Sequence, residues 1–322
     1  MALYTPLDDD DLALIAQSFG LPPPSRAVPE PKGGVNTNYH LWSGGERYFL
    51  RLNEGKRDGD VLFEGAVLRF LEEARFPAAR LLLTPSGACF VPLAGRQAMI
   101  FGYAPGEEVA RAAIQPSHCR RVGEQLGRLH ELSSGFTEER ENPYGVEWVA
   151  AQLRSLEPDG RGDPEVAAAL PVFREELDRA ARLPSAPRGL VHGDPFAENV
   201  LWLGDRVSAV LDWEMACTAV FAYDLAVALN AWCYGDDFDP QRAAALLAGY
   251  RSKSKVDPST IEALHALARF AALRFAVSRV HGYHLAELAA DRLVKKDWRR
   301  YRDRLSRLRE MGEAGFKRLI GA

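Results

Sequence analysis

Gly204-Asp205, set between two apolar runs, constrains this chain more than any other feature. Val200 to Leu203 precedes it and Val207 to Leu211 follows it, and Gly-Asp between apolar runs reads as a tight antiparallel hairpin. The arms are nearly equal in length, so the hairpin returns the chain to its start and is expected to set Asp212 beside Asn199. Asp194 lies five residues before Asn199, on the loop entering the same end, Leu190-Val191-His192-Gly193-Asp194-Pro195-Phe196-Ala197-Glu198-Asn199. Two carboxylates and a carboxamide oxygen at the mouth of an apolar hairpin form a hard-oxygen set of the kind Mg²⁺ takes when phosphates supply its other ligands. Taken singly, either Asp is explained as well by a turn residue satisfying backbone amides. The coincidence of spacing, hairpin and strand end favours the metal reading.

The chain around this segment changes texture. Short strand-like runs with Gly-rich turns fill the first part: Tyr39 to Trp42, Tyr48 to Leu52, Ala88 to Pro92 and Ala98 to Tyr103. Beyond them helical spacing dominates, from Pro116-Ser117 through Pro164 to Leu183, Pro240 to Tyr250, Pro258 to His281 and Asp297 to Leu308. The expected organisation is a strand-rich N-terminal lobe over residues 1–103 and a larger, mainly helical lobe over 104–322. A cleft between two such lobes is a usual ligand site.

Composition narrows the partners. Forty Lys and Arg against 44 Asp and Glu leave a formal charge of −4 without a long basic run, which argues against nucleic acid. The start is acidic at Asp8 to Asp11, unlike a secretory signal, and no apolar stretch approaches the roughly 18 residues of a membrane helix. Cys89, Cys119, Cys217 and Cys233 show no CxxC pair, so a reducing cytoplasm is expected, with small buried thiols. Oligomeric state is not legible.

His192-Gly193-Asp194 with Asn199, then Asp212-Trp213-Glu214, then Tyr223-Asp224-Leu225-Ala226, resembles the aminoglycoside phosphotransferase and choline kinase superfamily, relatives of the protein kinases. The resemblance implies an α+β, bilobal protein-kinase-like fold and an ATP- and Mg²⁺-dependent transfer to a small alcohol. By position, Asp194 accepts the substrate hydroxyl proton, Asn199 and Asp212 hold Mg²⁺, and His192 and Asp224 brace the loop. A catalytically silent nucleotide-binding module is the rival of another class; it is disfavoured because all three residues are present.

The N-terminal lobe offers a parallel set. Gly33, Gly34, Asn36 and Asn38 lie where a nucleotide-covering loop would sit, without a strict GxGxxG. Arg51 lies on the strand-like run Tyr48 to Leu52, which by the resemblance is the position of the phosphate-contacting Lys of protein kinases. Glu64 falls in phase with Val61, Leu68 and Leu71 on the next helix, and a carboxylate on a core-facing stripe needs a cation, for which Arg51 is the candidate. Phe101 and Tyr103, before Ala104-Pro105-Gly106, resemble the hinge whose backbone groups bind adenine.

Within the superfamily the chain is most similar to the phosphotransferase-like (type II) homoserine kinases. The similarity rests on Tyr4-Thr5-Pro6-Leu7, Asn36-Thr37-Asn38-Tyr39, Leu229-Asn230-Ala231-Trp232-Cys233, Arg274-Phe275, Ser278-Arg279 and Leu293-Val294-Lys295-Lys296, in order over most of the chain. It implies L-homoserine as acceptor. Two departures, Gly193 where that family has Ala and Trp213-Glu214 where it has a Phe-Tyr-like pair, leave another amino alcohol, an aminoglycoside, choline or a sugar-like alcohol as the alternative. An amino-acid substrate needs an anion for its ammonium and a cation for its carboxylate. Glu214, Asp236 and Asp237 are the candidates for the first, Arg274 and Arg279 for the second; an interhelical salt bridge explains the two arginines equally well.

Overall fold

The computed structural model describes residues 5–30, 35–183, 185–285 and 296–321. They form two compact units, the first of described residues up to Gly106 with Ser208–Glu214, the second of Glu107–Val207 and the remainder from Met215 on. Against the expected break at residue 103, the first unit runs three residues further and takes in a distant segment. Val210 N donates to Pro77 O at 2.7 Å, and Trp213 stacks edge-on against Phe76, 5.7 Å between centroids.

In the first unit, helix α1 (Asp9–Ser18) opens on a reciprocal capping box between Asp8 and Asp11. Strands β1 (Arg26–Pro29), β2 (Thr37–Ser43) and β3 (Glu46–Asn53) follow, then helix α2 (Asp58–Glu73), β4 (Val91–Leu93) and β5 (Arg96–Gly102). The five strands form one antiparallel sheet in the order β1-β2-β3-β5-β4. Leu41, Leu50, Leu52, Ala98 and Ile100 pack with Leu12, Ile15 and Phe19 of α1 into its core. The register sets Arg51 at the sheet centre, opposite Asn38 on one side and Met99 on the other.

The second unit is mainly helical. After strand β6 (Glu107–Glu108) come α3 (Pro116–Leu132), α4 (Val146–Leu156) and α5 (Pro164–Ala180). Strands β7 (Arg188–Val191) and β8 (Val200–Leu203) flank the loop singled out above. Beyond Gly204-Asp205 lies β9 (Arg206–Val210), then β10 (Cys217–Val220) and the helices α6 (Phe221–Trp232), α7 (Pro240–Arg251), α8 (Pro258–Arg279) and α9 (Arg299–Ile320). β7 pairs antiparallel with β10, and β6 with β8. Helices α3 and α7 touch through backbone: a Cβ on Gly123 would lie 2.0 Å from Leu246 O, and one on Gly249 2.0 Å from Arg120 O, so only glycine permits the contact. Helix α6 is buried from Ala222 to Trp232 and forms the axis of the core.

The α+β class expected from the sequence holds. Cys89, Cys119, Cys217 and Cys233 are all buried and unpaired. Among the described residues, no helix is long and apolar enough to cross a membrane.

Candidate active site

The chain leaves β7 through His192-Gly193, and Gly193 adopts φ +78°. A Cβ there would stand 2.6 Å from Met215 O, so both dihedral and space call for glycine. Asp224, completely buried on α6, holds this turn. Its Oδ2 accepts from His192 N and its Oδ1 from Gly193 N, each at 2.7 Å. His130 Nε2 lies 3.3 Å from the same Oδ2, and its Nδ1 lies 2.9 Å from Tyr250 Oη. Asp224 therefore spends its carboxylate on the loop backbone and on a buried imidazole.

The loop beyond is fixed from several sides. Asp194 N donates to His192 Nδ1 at 3.2 Å. Asn199 Nδ2 donates to Asp194 O at 2.9 Å and to Asp194 Oδ2 at 3.2 Å. With its amide hydrogens so used, the carbonyl oxygen of Asn199 is what it has to offer a cation. Trp232 Nε1 donates to Pro195 O at 2.7 Å, and Phe196 packs edge-on against Phe275, 4.9 Å between centroids.

The first unit gathers a second cluster. Arg51 Nη2 donates to Glu64 Oε2 at 2.6 Å, with both residues buried. Arg51 Nη1 lies 3.7 Å from Asp212 Oδ1 and 3.9 Å from Glu214 Oε2. Lys56 Nζ donates to Glu214 Oε2 at 2.6 Å, and Asn36 Nδ2 to the same atom at 2.8 Å. Burial works against the Arg51 cation, but the charges of Glu64 and Glu214 outweigh it and hold its pKa above the ordinary value. Burial likewise works to raise the Glu214 carboxyl; the charges of Lys56 and Arg51, with hydrogen bonds from Lys56 and Asn36, bring it down to about 2. Asp212 sits at φ +62°, a left-handed conformation that costs a non-glycine residue on the order of 1 kcal/mol and tends to persist at functional sites.

The other expected residues fall as follows. Asn38 is buried beside Arg51, and its Oδ1 has no hydrogen-bond partner among the described residues. Phe101 lies under the Arg51 guanidinium at 5.0 Å. Tyr103 is exposed, with its N–H donating to Arg47 O at 3.2 Å and its ring 4.1 Å from the Arg47 guanidinium. Gly33 and Gly34 lie outside the described residues. Glu214, the candidate anchor for a substrate ammonium, accepts from Lys56 and Asn36. Arg274 and Arg279 are buried, and among the described residues neither has a carboxylate within 4.0 Å. Arg274 lies over Phe275 at 3.9 Å and Tyr144 at 4.3 Å, with its Nε unpartnered among the described residues. Arg279 lies over Tyr301 at 4.4 Å and donates from Nη1 to Asp297 O at 3.2 Å. Sequence reasoning missed Lys56, whose partner Glu214 lies 158 residues away; His130, read as a surface or satisfied core group, is buried and hydrogen-bonded to Asp224, 94 residues away.

Comparison with known proteins places the chain. A model of the phosphotransferase enzyme family matches residues 28–258. A protein named homoserine kinase from Phenylobacterium zucineum is 34% identical over 312 residues, 95% of each chain. Another of that name from Sinorhizobium fredii is 32% identical over 307 residues, covering 92% of this chain and 91% of its own. Among solved structures, an amicoumacin kinase in complex with AMP-PNP and Ca²⁺ superposes with a TM-score of 0.68 at 17% identity, over 90% of this chain and 89% of its own. A spectinomycin phosphotransferase in complex with ADP superposes at 0.63 and 17% identity, over 98% of both; these two likenesses speak for the fold alone. With a family model spanning most of its length and homoserine kinases aligned nearly end to end, the chain belongs to the phosphotransferase enzyme family.

Proposed function

We propose that this chain transfers the γ-phosphoryl group of ATP to the side-chain hydroxyl of L-homoserine, with Mg²⁺ as the metal. The observation that carries the reading is the end-to-end similarity, at 34% and 32% identity, to proteins named homoserine kinase. ATP and a divalent cation are supported by the kinase-like fold shared with the amicoumacin kinase, which holds AMP-PNP and Ca²⁺. Mg²⁺ shared with phosphate oxygens suits a carboxylate and a carboxamide as its protein ligands, the groups that Asp212 and Asn199 supply.

In the reaction, the hydroxyl oxygen of homoserine bonds to the γ-phosphorus as the bond to the β–γ bridging oxygen breaks, and ADP leaves. Asp194, held by Asn199 and by the His192 turn, orients the hydroxyl and accepts its proton. Arg51, locked by Glu64, contacts the phosphates; Asn36, Asn38, Phe101 and Tyr103, with Gly33 and Gly34, belong to the nucleotide side. Arg274 and Arg279 take the substrate carboxylate. A buried guanidinium without a carboxylate partner is costly, and a ligand carboxylate offsets that cost.

A second reading, an aminoglycoside, choline or sugar-like alcohol as acceptor, draws on Gly193 and Trp213-Glu214. Steady-state kinetics with L-homoserine, L-serine, choline, methylthioribose and an aminoglycoside decide between the two. L-Homoserine is expected to give the highest kcat/KM, and L-serine, one methylene shorter, to react poorly. A far higher value for any of the other acceptors would end the homoserine assignment and leave the kinase.

A further inference from the structure

The two cations of the Arg51 cluster differ in how firmly they are held. Arg51 is fixed on several sides, by Glu64 at 2.6 Å, Met99 Sδ at 3.3 Å and the Phe101 ring at 5.0 Å. Lys56 follows a turn at Gly55, where φ is +68°. Its backbone is pinned, since its carbonyl accepts from Gln97 Nε2 at 3.3 Å. Its ammonium makes one hydrogen bond among the described residues, to Glu214 Oε2 at 2.6 Å. Glu64 Oε2, at 4.0 Å, is beyond hydrogen-bonding range. An ammonium carries three N–H donors, so two remain unspent on a side chain that keeps 16% of its surface open to solvent.

Glu214 does not depend on Lys56 alone. Asn36 donates to the same Oε2 at 2.8 Å and Arg51 Nη1 faces it at 3.9 Å, so it stays partnered if the ammonium moves away. Among the described residues the cluster also sets three carboxylates, Glu64, Asp212 and Glu214, against two cations. A polyphosphate entering such a surplus of negative charge needs a cation that turns towards it, and a compact ammonium on a flexible stem is the side chain best able to do so.

We propose that Lys56 is a phosphate-binding residue of the nucleotide site, whose ammonium exchanges Glu214 for a β- or γ-phosphate oxygen while Arg51 stays on Glu64. The proposal rests on the kinase reading above and adds to it a residue outside the expected set. Glu214 is then the resting partner of Lys56, not an anchor for substrate.

Titration calorimetry of wild type, Lys56→Gln and Lys56→Arg with Mg·ATP, Mg·ADP and AMP tests the assignment. Losing a charged hydrogen bond to phosphate is expected to weaken Mg·ATP and Mg·ADP by about 10- to 100-fold. AMP, which lacks both distal phosphates, should bind Lys56→Gln within about twofold of wild type, and Lys56→Arg should recover most of the loss. Unchanged Mg·ATP affinity in Lys56→Gln, or equal losses for AMP and Mg·ATP, overturns the proposal, the second outcome marking Lys56 as a clamp on Glu214. If Lys56→Gln does not fold, Glu214→Gln decides: the freed ammonium should keep or improve Mg·ATP affinity, and a 10-fold or greater loss () overturns the proposal. A wild-type protein that binds none of these nucleotides would instead sink the kinase reading itself.

Discussion

Asp224→Asn is the substitution whose cost can be worked most fully from the structure. Two carboxylate oxygens serve three buried donors: His192 N and Gly193 N at 2.7 Å each, and His130 Nε2 at 3.3 Å. Asparagine keeps the shape and one oxygen, but sets an NH₂ group against a donor and removes the charge. At least one buried backbone N–H is left without an acceptor, at about 1–3 kcal/mol, and the surviving bond loses its charge assistance. The expected destabilisation is about 2–5 kcal/mol, a large part of the roughly 5–15 kcal/mol that holds a domain together. Because the two backbone donors open the loop carrying Asp194, kcat should fall as well. Urea unfolding monitored by circular dichroism should show a lower midpoint at unchanged slope. A loss within about 0.5 kcal/mol for Asp224→Asn, with kcat intact, would refute the reasoning.

Other expectations follow from the two clusters. Arg51→Ala and Glu64→Ala should each lower kcat/KM, and the double variant should lose less than the sum, because either change breaks the same 2.6 Å contact; additive losses would mean the pair does not act as a unit. Asp212→Asn should weaken Mg·ATP binding in calorimetry and stop turnover while the fold survives. Burial pushes the Cys217 thiol up to about 12, assisted by the charge of Asp224, and raises those of Cys89 and Cys233 too. Iodoacetamide at pH 8 should therefore leave these thiols unmodified in the native protein and alkylate them in denaturant. The same shift favours the folded state fully below the ordinary thiol value of 9.0, and that contribution is lost as pH rises towards 12.

Much of this was legible in the sequence where the signal is local. Gly204-Asp205 between apolar arms announced β8 and β9, and Glu64 on the apolar stripe of α2 pointed to a buried cation. Asp8 and Asp11 carried the capping signal of α1 as well, but an acidic start was read only for what it says about targeting. Helix α6 left no periodic trace, since Ala222 to Trp232 are buried on every side and a helix surrounded by core has no polar face to set a 3.6-residue rhythm. Lys56 escaped because its partner Glu214 is one that only the tertiary fold brings within hydrogen-bonding distance. The partner of Glu214 was hidden for the same reason: Lys56, 158 residues earlier, gave no sign of reaching it.

The central claim, that Asp194 serves the hydroxyl of homoserine in an ATP-dependent phosphoryl transfer, is tested most directly with wild type and Asp194→Ala. Product formation from ATP and L-homoserine is followed by ³¹P NMR, and ligand binding by calorimetry. Phosphoryl transfer draws mainly on positioning and charge neutralisation, so the base should contribute about 10²- to 10⁴-fold to kcat. Wild type should form O-phosphohomoserine, and Asp194→Ala should bind Mg·ATP and homoserine nearly as well yet turn over slower by that factor. An Asp194→Ala protein that phosphorylates homoserine at the wild-type rate, or a wild type that forms no phosphohomoserine, would contradict the account.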